Sequence, residues 1–185
     1  MNNRRRGNGG LSGASVAMLA LAVVVLAGCS PSLDWRESRP ADGLSVLFPC
    51  KPDTHVRQVS LAGSPQPMSL SSCTADDRTF ALSYLDVSDI HQLTPVIQAM
   101  QQSLADKLQA PGTSAQRKPA TVLGASPHPL AQQLVVEGRR PDGRVIRADS
   151  VFFCKGLRVY QATMIGERAD AQALDTFFSS LKLAT

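Results

Sequence analysis

Residues 145–165 read as two strands joined by a tight turn at Lys155-Gly156, and they carry apolar side chains on both faces. If the turn sets Cys154 opposite Leu157, the period of two along a strand sorts the side chains. Ile146, Ala148, Phe152, Val159 and Ile165 fall on one face, and Val145, Val151, Phe153, Tyr160 and Met164 on the other. A sheet that meets water on one side alternates apolar and polar residues, whereas one that is apolar on both sides has to be covered on both. The chain must therefore supply two covering layers.

The flanking sequence offers strands and two helices. Leu44, Val46 and Phe48 alternate in a strand over 44–48 that stops at Pro49, which lacks the N–H a ladder needs. Two further strands, 56–61 and 68–73, flank the turn-rich 62–67, and Asp76-Asp77 precedes a fourth over 80–85. Residues 42–87 thus read as an antiparallel meander. Thr94 followed by Pro95 has the form of an N-cap and first-turn proline, and Ile97, Met100, Leu104 and Leu108 recur at helical spacing until Pro111-Gly112. A strand over 130–137 and a turn at Pro141-Asp142-Gly143 lead into the two-faced pair. Asp170 is placed to cap a closing helix with Ala173, Leu174, Phe177, Phe178 and Leu181 on one side. The expected fold class is α+β, a mainly antiparallel sheet covered by helices on both faces.

That order of elements, with "GLSVLFPCKP" opening, "FALSYLDV" closing the meander, "GLRVYQATMIG" in the strand pair and "FFSSLKL" at the end, resembles the PsbP-like α/β/α sandwich. The resemblance spans roughly residues 42–183 and rests on Gly43, Phe48-Pro49, Tyr160 and Phe177-Phe178-Ser179-Ser180. Cys50 departs from it, standing where a glycine or another small residue is common. It implies a small bacterial lipoprotein with a binding or accessory role, and none of the matching residues is catalytic.

The N-terminus sets an address. Arg4-Arg5-Arg6 and a Gly-rich stretch precede an apolar run, Ala14 to Ala27, of about 14 residues. That is short of the roughly 20 that a bilayer-crossing helix needs. The run has no polar face for a soluble amphipathic helix, and charge followed by an apolar run and then small residues is the layout of a secretory signal. Leu26-Ala27-Gly28-Cys29 resembles the lipobox of bacterial lipoproteins. The resemblance implies cleavage between Gly28 and Cys29, a diacylglyceryl group on the Cys29 sulfur, and acylation (palmitate in type) of the new amino group. Ser30 after the cysteine, rather than aspartate, implies sorting in a Gram-negative cell to the outer membrane, facing the periplasm. The expected division is 1–28 signal peptide, 29–41 lipidated N-terminus and tether, and 42–185 a single globular domain. Trp35, in the tether, is expected to pack on the domain it leads into.

Charge and cysteines narrow the function. The 185 residues carry a formal net charge of +4, but 1–28 hold three of the 19 basic side chains and none of the 15 acidic ones. The remainder is near neutral, so nothing electrostatic calls for nucleic acid, and the few aromatic residues offer no stacking platform. With Cys29 lipidated, three thiols allow three single pairings in an oxidising compartment. If the 62–67 turn sets Leu61 opposite Gln66 and Thr54 opposite Cys73, Cys50 and Cys73 come within disulfide range, and Cys154 is left as a buried thiol.

No Cys-x-x-Cys, His-x-His or His-Glu-x-x-His spacing is present, and His55, His91 and His128 are far apart, with Asp53 and His55 the nearest approach to a ligand pair. No cofactor or metal is expected. Arg139, Arg140, Arg144 and Arg147 cluster around one turn, either as a contact for anionic headgroups or as a solvated, charge-guarded edge. Three functions follow in order. The first is a noncatalytic lipid-anchored envelope protein that binds or assembles with another envelope protein. The second is a small-ligand or lipid-binding module with its pocket between helix 94–109 and the sheet. The third is a hydrolase whose site the fold assembles.

Overall fold

The computed structural model describes residues 33–109, 116–139 and 142–184. In chain order the elements are β1 (Arg36–Ala41), β2 (Leu44–Phe48), β3 (Asp53–Leu61), β4 (Ser64–Ala75), β5 (Arg78–Asp86), α1 (Leu93–Lys107), β6 (Gln116–Pro119), β7 (Gln132–Arg139), β8 (Val145–Lys155), β9 (Arg158–Gly166), α2 (Ala171–Ser179) and β10 (Lys182–Leu183). Seven strands form one antiparallel sheet in the order β3-β4-β5-β9-β8-β7-β6, and β1-β2-β10 form a second. The chain crosses from β5 to the far edge through α1, then works back through β7 and β8 so that β9 closes against β5.

Both faces of the large sheet are covered, as the two-faced strand pair demands. On one face, Val96, Ile97, Met100 and Leu104 of α1 pack on Leu85, Leu134, Val136, Phe152 and Val159. On the other, Phe80, Leu82, Val151, Phe153, Tyr160 and Met164 meet Leu44, Val46 and Phe48 of β2, Phe177 of α2, and Leu181 and Leu183. The face assignment made for 145–165 is the observed one, except that Val145 is exposed. Cys154 pairs with Val159 rather than Leu157. The slip is two residues, an even number, so every side chain keeps its face.

The expected α/β/α sandwich does not form. The described residues are 53% strand and 19% helix, with two α-helices, a β-rich fold rather than a sheet covered on both faces by helices. The reason is length. At 1.5 Å per residue, the nine residues of α2 reach about 14 Å, while seven strands about 4.8 Å apart span nearly 30 Å. α2 buries only Ala173 and Phe177, so the second cover is mostly the small sheet. β2, read as part of the meander, belongs to that cover and pairs with β1 and β10.

One local detail differs from expectation. Thr94 does not cap α1; the helix begins at Leu93 behind Gln92, whose side chain makes no cap hydrogen bond. Asp89 instead accepts from the His91 N–H, at 2.7 Å, at the head of a 3₁₀ turn, Ile90–Gln92. Asp170 caps α2 as expected, accepting from the Ala173 N–H at 3.0 Å. Gly138 lets the end of α1 touch β7, since a Cβ there would sit 1.9 Å from the Leu108 carbonyl oxygen, which accepts from the Arg139 N–H.

Candidate functional site

Gly28, Cys29 and Arg140 lie outside the described residues. The domain begins closer to Cys29 than expected. Leu33 and Trp35 pack against the core shared by the two sheets, and the Trp35 ring meets Phe80 edge-on at 5.7 Å. The Asp34 N–H donates to the Pro49 carbonyl at 2.9 Å, and Arg36–Ala41, expected as tether, is strand β1 paired with β2. The strand was hidden because Arg36, Glu37 and Arg39 are exposed on an outer strand and give no apolar alternation.

Cys50 and Cys73 form the disulfide expected of them, with Cα atoms 6.0 Å apart. The register that suggested the pair was itself two residues off: Thr54 faces Ser71, and Leu61 faces Ser64. Cys73 borders the core beneath the small sheet, whereas Cys154 is buried among the α1 contacts on the opposite face. A bond between those two would have to pass through the sheet. Burial pushes the Cys154 thiol up from its ordinary range, leaving it un-ionised and unreactive at neutral pH. With Cys29 lipidated, a thiol reagent should find no group on the native chain and one after denaturation without reductant. Two thiols would mean a free Cys29 sulfur, and three a lipidated chain lacking the disulfide.

The described arginines between β7 and β8 and at the start of β8 are largely compensated. Arg144 donates to Asp142, at 2.8 Å, and to Glu167, at 2.7 Å. Arg147 donates to Asp149 at 2.7 Å and lies 3.5 Å from Glu137. Arg139 donates to the Gly143 carbonyl at 3.1 Å. The Asp149 side chain is 2% exposed, so removing Arg147 would leave a buried carboxylate without its cation, which is strongly destabilising. Arg147 thus has a structural duty. An anionic headgroup would have to compete with carboxylates for Arg144 and Arg147, and Arg139 is the described arginine of this turn that bonds only a carbonyl.

The sequence did not reveal a stack at the other end of the large sheet. The Arg158 guanidinium forks onto both Asp86 oxygens at 2.6 and 2.8 Å and lies 4.8 Å from the Tyr84 ring centroid. Tyr160 continues the row, stacked on Phe153 at 4.9 Å. Arg158 holds the Asp86 carboxyl below the ordinary carboxylate range, and burial raises the Tyr160 hydroxyl. Asp86 and Arg158 are 72 positions apart, and only the β5–β9 register makes them neighbours.

A cleft of about 450 Å³ opens on the small sheet, lined among others by Glu37, Arg39, Gly43, Ser45 and Lys182. Arg39 is engaged by Glu37 at 2.9 Å, so the lining is of mixed charge and suits polar contact. Between α1 and the large sheet, where the second function would have its pocket, the facing side chains from Leu93 and Val96 to Phe152 and Leu134 are at most 8% exposed.

Of the histidines, His128 accepts the Leu130 N–H at Nδ1 and meets the Thr94 hydroxyl through Nε2, at 3.1 and 3.2 Å, clamping its loop to α1. Asp53 and His55 are exposed on the edge strand β3. Among the described residues, no group of three His, Cys, Asp or Glu side chains is placed to hold a metal ion, and no helix is long and apolar enough to cross a membrane. Comparison with protein-family models and with curated proteins found no match for this chain.

Proposed function

We propose that this chain is an exported lipoprotein of the bacterial envelope, in which Cys29 carries the lipid and the β-rich domain binds or assembles with another envelope protein. The observation that carries the reading is Leu26-Ala27-Gly28-Cys29 closing an apolar run of signal-peptide length behind Arg4-Arg5-Arg6. The Cys50–Cys73 disulfide supports it, because such bonds persist in oxidising compartments and are rare in the cytosol. A domain whose described cleft carries both charges, Glu37 and Asp42 with Arg39 and Lys182, and whose α1 side chains are buried against the large sheet favours contact with a protein surface over enclosure of an apolar ligand.

Fractionation of cells producing the native chain and Cys29→Ala tests the anchor. One acyl chain holds a protein only marginally, and two or three hold it firmly. The native chain is expected in the outer-membrane fraction, with at least about tenfold less Cys29→Ala there. Equal retention of both contradicts the anchor. Affinity capture from solubilised envelopes tests the binding role. A specific protein recovered with the native chain and lost with Cys29→Ala supports it, and a bound lipid with no protein contradicts it.

A further inference from the structure

We propose that the lipidated domain lies directly on the bilayer in a fixed orientation, its disulfide end toward the lipid headgroups and its β8–β9 turn pointing away. This rests on the lipid-anchor reading above and adds to it the surface that meets the membrane.

Tether length carries the inference. Only Ser30, Pro31 and Ser32 separate Cys29 from Leu33, and Leu33 and Trp35 are already packed on the core. At most about 3.6 Å per residue, the four steps from Cys29 to Leu33 span no more than about 14 Å. A folded chain of about 150 residues has a radius of gyration near 15 Å, hence a body close to 40 Å across. A leash shorter than half that width keeps the attached end against the headgroups.

The attached end is well defined. Trp35 sits on Phe80, which pairs with Cys73 near the Asp76-Asp77 turn, and the Cys50–Cys73 bond ties the end of the small sheet to the same place. From there β1 runs to the Asp42-Gly43 turn, where the Gly43 carbonyl accepts the Ala184 N–H and Lys155 reaches the Ala184 carbonyl. The Gly43 turn therefore shares the far end with the β8–β9 turn at Gly156-Leu157. Along β5, Phe80 and Asp86 are six residues, about 20 Å, apart. Exposed Arg36 and Lys51 flank the attached end, and the β7–β8 connection with Arg139 and Arg144 lies at the same end of the large sheet.

Trp35 is the one tryptophan, which makes it the probe. Purified lipidated chain is reconstituted in vesicles of phosphatidylethanolamine and phosphatidylglycerol carrying a dansyl-labelled headgroup, and energy transfer from Trp35 is measured. Two variants are compared. One has twenty Gly/Ser residues inserted between Ser32 and Leu33, a spacer of about 25 Å on average. The other is Trp35→Phe with Leu157→Trp, which moves the donor to an exposed site on the far turn. Transfer from the native chain is expected to exceed that from each variant at least twofold. Native, inserted and relocated chains that all float with the vesicles yet transfer equally overturn the orientation. A native chain that does not float overturns both the orientation and the anchor beneath it.

Discussion

Phe177→Ala is expected to cost roughly 3–5 kcal/mol of domain stability, the range for removing a fully buried phenylalanine. Phe177 is 0% exposed and is where three elements meet. Its ring lies 5.5 Å from Phe48 of the small sheet, 5.4 Å from Phe80 of the large one and 5.4 Å from Phe178 beside it in α2. Both sheets approach edge-on, a preferred geometry for aromatic pairs. Removing the ring leaves a cavity between layers that backbone pairing holds rigid, so collapse cannot refill it. At about 2–4 °C per kcal/mol for a chain of this size, the melting temperature should fall on the order of 10 °C. Phe178→Ala, whose ring is only partly buried, should cost less than half as much. A loss below about 1.5 kcal/mol for Phe177→Ala would show that the small sheet does not depend on α2 for its seat.

Loss of the Cys50–Cys73 bond is expected to cost about 3 kcal/mol. The bond closes a loop of sequence separation 23, and the chain-entropy relation for a loop of that length gives roughly this value. The doubly substituted Cys50→Ala/Cys73→Ala chain is the test, because it leaves no unpaired thiol to exchange. Its denaturation midpoint should fall while the slope against denaturant rises, because the uncrosslinked denatured chain exposes more surface, and reductant should shift the native chain and not the variant. A midpoint equal to the native one would mean that β2 and β4 are held together by packing alone. Among the described residues the disulfide is the covalent link between the sheets, and Phe177 of α2 is one of the side chains that join them noncovalently. Both lie near the end of the domain that receives the N-terminus.

Much of this architecture is legible in the residues because the strongest signals are periodic. The two-faced pattern of Val145 to Ile165 foretold cover on both faces, and the cover exists. Its nature is not legible in the residues, because a helix of nine residues and a sheet of three short strands both present a few apolar side chains to a core. β1 and β10 give no alternation, the first being an outer strand with charged residues and the second having two residues. Register is the least legible feature: both hairpin registers differ from expectation by two residues, an even number that preserves the faces and keeps the Cys50–Cys73 pair within reach. No sequence pattern links Arg158, Asp86 and Tyr84, because register alone makes them neighbours. The basic turn was visible, but its counter-charges, Glu167 and the buried Asp149, became apparent only with the strand pairing.

The central claim is that Cys29 is the first residue of the working protein and carries lipid. The most direct measurement is the mass and fragmentation of the N-terminal peptide of the protein purified from membranes. The account predicts a peptide that begins at Cys29, with a diacylglyceryl group on its sulfur and an acyl group on its amino nitrogen. A peptide that begins elsewhere, or at Cys29 with an unmodified sulfur, would contradict it.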